Sequence, residues 1–102
     1  ATIVGWSSYT YNKIQYKDLG DSYIIDVYIS GTSNSGTTTI VLPFTLTSNH
    51  GSIVFITNNG TSAAGRVTCI ASNTLDFRST PSAAGWTASG TKTVTCNFTM
   101  KK

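Results

Sequence analysis

A chain of 102 residues with a net charge of +3 is expected to form one domain, large enough for a real core but with a small margin. Charged residues make up only 11%, Glu is absent, and Ser plus Thr number 31, while strong helix formers are few. That balance disfavours helical bundles. It also disfavours nucleic-acid binding, because the seven cations are scattered and form no basic stripe interleaved with aromatics. No apolar run reaches the ~20 residues of a membrane-spanning helix, so no membrane insertion is expected. The chain opens on Ala1 without an initiating Met, and we expect it to be a piece of a longer protein.

In chain order, period-2 alternation recurs and predicts strands. "TIVGWSSYTY" places Ile3 and Trp6 on either side of Gly5, a bend or bulge. "NKIQYKDLGDSYIIDVYISG" reads as a hairpin turning at the Asp/Gly-rich "KDLGDS". Its second strand sets Tyr23, Ile25, Val27 and Ile29 on one face and Ile24, Asp26 and Tyr28 on the other. "GTSNSGTTTIVLPF" follows, read as a surface turn leading into a Thr-rich strand that stops at Pro43, which cannot donate to a ladder. Next come "SIVFIT", a loop "NNGTSAAG", and "RVTCIAS". The tight connection "ASNTL" should make a hairpin with "NTLDFRS", before a loop "TPSAAGW" and a last strand "KTVTCNFTM". Seven or eight short strands with turn signals every ~8–12 residues predict an all-β domain, a small antiparallel barrel or sandwich.

Cys69 and Cys96 share parity with Val67, Val94 and Phe98 and so point inward. Two readings stay open, separate buried thiols or a disulfide between adjacent strands. With one His and no CxxC, no metal site is expected. The four Asp (Asp18, Asp21, Asp26, Asp76) make no catalytic carboxylate pair, and no G-x-S-x-G accompanies the lone His, so no enzyme is expected.

Three stretches carry a resemblance: "Y…IDVYISGTSNSGTTTIVLPF", "NNGTSAAGRVT…NTLDF" and "GWTASGTKTV…F". Together, from about Tyr9 to Phe98, they resemble the tip modules of bacteriophage tail fibres, in particular the head domains of lactococcal siphophage receptor-binding proteins. The resemblance implies a non-enzymatic head at a virion tail tip or baseplate, assembled in the bacterial cytoplasm. It would form a homotrimer, reach other tail proteins through N-terminal shoulder and neck domains, need no cofactor, and bind a saccharide or phospho-saccharide of the host cell wall. Related heads use an aromatic ring with His, Asp and Arg side chains. No stretch here repeats their His-x-Asp strand.

Saccharide recognition needs a ring face for C–H groups and planar polar groups for hydroxyls. Trp86, in a Gly/Ala/Ser-rich loop, is the candidate ring; it could instead close one end of the barrel or pack at a subunit seam. Asp76 and Arg78 share one strand face, either as a surface ion pair or as a hydroxyl- or phosphate-binding pair. Arg66, after Gly65, has similar standing. His50 in "SNHG" is read as a turn residue or a ligand contact. A structural virion module without a ligand, and a carbohydrate-binding module of a secreted bacterial protein, remain the alternatives.

Overall fold

A computed structural model of the protein describes residues 2–46, 51–70, 72–80, 82 and 85–101. They form eight strands: β1 (Thr2–Val4), β2 (Trp6–Asp18), β3 (Ser22–Ser33), β4 (Thr38–Val41), β5 (Gly51–Asn58), β6 (Thr61–Ile70), β7 (Thr74–Arg78) and β8 (Thr91–Lys101). All pairings are antiparallel, in one sheet of order β1-β4-β7-β6-β5-β8-β3-β2. The first and last strands of that order are consecutive in the chain, separated by Gly5 alone. The sheet therefore curls into a nearly closed barrel, as the composition predicts.

Gly5 makes this possible. Its φ is 109°, and a Cβ there would lie 1.9 Å from the Thr37 carbonyl oxygen, so only glycine lets the chain leave β4's side and start β2.

The inward positions fill the barrel. Ile25, Val27 and Ile29 of β3, Val94 of β8, Val67 of β6, Leu75 and Phe77 of β7 and Ile40 of β4 are all fully buried. Alternate residues on the same strands face outward, and Asp26 and Tyr28 are exposed as the alternation predicts. Burying a dozen or more such side chains, at about 1.5–3 kcal/mol each, is what holds a chain with so few charges together.

Two sequence expectations need correction. "GTSNSGTTTIVLPF", read as a surface turn into a strand, begins inside a strand and joins two strands that do not pair. Gly31–Ser33 finish β3, whose two edges are taken by β8 and β2, and the chain crosses the barrel end to β4, which pairs with β1 and β7. "NNGTSAAG" is not a loop. Only Asn59 and Gly60 turn, with φ of 51° and 84°, the left-handed pair that a two-residue hairpin needs. Thr61–Gly65 belong to β6, so the first "SAAG" is strand. Of the two readings open for the cysteines, the structure takes separate thiols: Cys69 and Cys96 are both free, and β5 lies between their strands. Pro43, as expected, lies just past the end of β4.

Candidate functional site

The barrel has two ends. One holds the β2–β3 hairpin and the β6–β7 turn. The other, the mouth, holds Gly5, the 34–37 crossover, the β5–β6 turn and the segment after β7, and its polar groups converge.

Residues 85–90 fold back over the mouth because Trp86 turns inward. Trp86 is buried, its indole Nε1–H donates to the Phe77 carbonyl (2.7 Å), and its backbone N–H donates to the Gly36 carbonyl (3.1 Å). Further anchors hold the segment. The Ser79 hydroxyl donates to the Gly85 carbonyl (2.7 Å), the Ser33 hydroxyl to the Thr87 carbonyl (2.6 Å), and the Thr87 N–H to the Asn58 side-chain oxygen (2.9 Å).

Beneath Trp86 lies a group that sequence reading passed over. Lys92 is fully buried, pointing inward on β8 in step with Val94. Its ammonium donates to the carbonyls of Gly5 (3.1 Å) and Thr37 (3.3 Å) and sits between two indole faces, 5.1 Å from the Trp6 ring centre and 4.9 Å from that of Trp86. Among the described residues it has no ion pair. Desolvation lowers its pKa from the ordinary value to about 8, which leaves it protonated at neutral pH. Ring quadrupoles and carbonyl oxygens stand in for a counter-ion. The clamp ties β8 to both sides of the Gly5 bend. Its sequence signal was parity: Lys92, Val94, Cys96, Phe98 and Met100 alternate.

Beside this plug the mouth opens into a pocket of about 380 Å³. Asn58, Asn59, Thr61, Ser79, Thr80 and Thr87 line it, with Ile56 and Ala63 as an apolar wall. The lining holds amides and hydroxyls and no charged group. Such a surface can exchange paired hydrogen bonds with a neutral, hydroxyl-rich group.

The expected site residues do not all gather here. Trp86 supports the pocket's roof from inside, with its ring turned away from solvent. Asp76 and Arg78 lie on the outer wall of β7, joined by a 2.8 Å Nε–Oδ2 bond, with Leu75 and Phe77 facing inward as predicted. Arg66 is Arg78's cross-strand partner on β6, and its Nε is buried without a hydrogen-bond partner among the described residues. The structure thus brings Arg66, Asp76 and Arg78 together, and Arg78 immediately precedes the pocket residue Ser79. His50 lies outside the described residues. Among those residues no cluster of His, Cys or Asp could hold a metal ion. Asn58, Thr61 and Thr87 were missed, since isolated Asn and Thr beside turns carry no signal that distinguishes a pocket from an ordinary surface.

Compared with known protein families, curated proteins and solved structures, the chain matches none.

Proposed function

We propose that this domain is the receptor-binding head of a phage tail tip and grips a saccharide or phospho-saccharide of the host cell wall without catalysing a reaction. The observation that carries the reading is the uncharged pocket at the mouth, lined by amides and hydroxyls against an apolar wall. A sugar ring would lie against Ile56 and Ala63 and exchange hydrogen bonds with the Asn and Thr groups. A phosphate substituent would reach Arg78 and Arg66, whose guanidinium forks suit it. The resemblance of the "GTSN", "NTLDF" and "GWTASGT" stretches to phage heads supplies the biological setting, including a homotrimer joined to other tail proteins. Weak binding at one pocket would be offset by many heads engaging together.

The test is competition. Purified domain should block adsorption of the phage that carries it, and wall saccharides released from host cells should bind it in calorimetry. Ala63→Trp, which places an indole in the pocket from an exposed position, should weaken that binding about tenfold or more while leaving the melting temperature nearly unchanged. Absence of competition at saturating domain overturns the receptor reading. Unchanged saccharide affinity in Ala63→Trp moves the site elsewhere.

A further inference from the structure

The outer wall carries an arrangement that the mouth pocket does not use. Phe55 is 76% exposed and Ile53 62%, both in the middle of β5. From Phe55 the register runs across four strands through Thr95 of β8 and Tyr28 of β3 to Lys13 of β2. Tyr28 is half exposed, and its ring lies 4.6 Å from that of Tyr11, which is equally exposed on β2. Neither tyrosine contributes to the core.

Phe55 and the tyrosine pair are separated by two strand spacings, about 9–10 Å. That is close to the length of a disaccharide unit in an extended glycan. Polar groups surround the rings: Thr95 between them, the Ser30–Thr93 hydroxyl pair (3.3 Å) on one side, and the amides of Gln15 and Asn97 flanking Asp26 on the other. The charge is one-sided. Among the described residues the wall presents Lys13, Lys17, Arg66, Arg78 and Lys101 against Asp26 and Asp76. At the ring stripe itself the described charges are one cation, Lys13, and one anion, Asp26 in the neighbouring row, too sparse a positive lining for a nucleic-acid backbone, which carries a charge at every nucleotide.

We propose that this stripe is a second binding track, running across the strands, for an extended polysaccharide that carries sparse negative groups. The Tyr11–Tyr28 pair and Phe55 stack on sugars two apart along the chain, Thr95 takes hydroxyls of the sugar between them, and Lys13 takes a carboxylate or phosphate substituent. The track rests on the receptor reading for the saccharide class of its ligand. It adds a surface on which a head could hold a wall polymer while the mouth engages a terminal group.

The test is affinity electrophoresis of the domain in gels containing carboxymethylcellulose or hydroxyethylcellulose, alongside a gel shift with a thymidine oligonucleotide. We expect retardation in both polymers, stronger in the carboxymethylated one, and weaker binding to the oligonucleotide. Tyr11→Ala with Tyr28→Ala leaves the net charge unchanged, so its loss of retardation, expected to be about fivefold or more, reads the rings rather than the charge. Phe55→Ala should lose a smaller part. Tyr11→Phe with Tyr28→Phe should retain most of it, and Lys13→Gln should abolish the preference for the charged polymer. Melting curves confirm that each variant is folded, which the exposure of all four positions favours. No retardation of the wild type, equal retardation of the double alanine variant, or tighter binding to the oligonucleotide overturns the proposal. Loss of the track with adsorption competition intact leaves the mouth reading standing. Retardation without adsorption competition does the reverse.

Discussion

The two ends of the barrel solve the same problem with opposite chemistry. At the end with the β2–β3 hairpin aromatic rings pack together: Tyr23 and Phe44 stack at 3.8 Å, and Tyr16 meets both edge-on, at 6.3 and 4.8 Å. The mouth is closed by an ammonium between two indoles. It also holds two of the three buried polar atoms without a partner among the described residues, Trp6 Nε1 and Thr38 Oγ1. Each such atom costs about 1–3 kcal/mol. Packing economy therefore rules one end, while the polar penalties collect at the end where the pocket opens. Local rules are broken where a surface serves something besides folding.

This contrast can be broken by substitution. Trp86→Ala should have the largest effect, because it removes a buried indole, its bond to Phe77 and one face of the lysine clamp. We expect a loss of about 3–5 kcal/mol in urea unfolding, a large part of the stability of a domain this size. Phe44→Ala at the other end removes a half-buried ring that packs on its neighbours without a buried hydrogen bond. A loss of about 1–2 kcal/mol is expected there, with the mouth pocket unaffected. If the two losses prove equal, the mouth's plug is no more than another aromatic lid.

The third and smallest effect separates the ends by pH. Lys92 has a pKa of about 8 in the fold against 10.5 ordinarily, so above pH 8 the unfolded chain binds more protons than the native one. Stability therefore rises with pH from about 8, by about 1 kcal/mol per unit at most. Cys96 acts in the opposite sense. Burial, with a smaller contribution from Asp26, pushes its thiol from 9.0 up to about 12, so above pH 9 the native state holds the extra proton and stability falls. Urea midpoints should climb between pH 7.5 and 9 and then turn over. Lys92→Met should abolish the climb and keep the fall. A climb that persists in that variant assigns it to another group.

Much of the wall was legible in the sequence and little of the mouth. The alternation of Ile25, Val27 and Ile29 against Asp26 and Tyr28 fixed a strand and its inner face, and "KDLGDS" fixed its hairpin, because both are local. Which strands become neighbours is not local: nothing in "TKTVTCNFTM" says that β8 enters between β3 and β5. The extent of β6 was misjudged because Ser62, Ala63 and Ala64 have weak strand preference and owe their conformation to pairing with β5. For Trp86 the sequence leaves display in a loop, closure of a barrel end and packing at a subunit seam open, because its neighbours are loop residues; the structure has it close the mouth. Its burial depends on an acceptor, the Phe77 carbonyl, that only the folded chain puts within reach. Lys92 was overlooked for the complementary reason, since a lysine at an inward position looks like a break in the pattern until two indoles are seen around it.

The place of β8 in the sheet bears on how the domain comes into being. Only this strand joins β3 and β2 to the other five, so without it there are two separate sheets linked by Gly5 and the 34–37 crossover. A chain emerging from the ribosome can form the early hairpin, and later the β5–β6–β7 meander. It cannot close its core until the residues through Lys101 are free. Until then both edges that will receive β8 stand bare, and the apolar faces of two half-barrels look into water. The core therefore closes only once β8 has emerged, and the interval before that strand arrives is when the chain most needs to be kept from its neighbours.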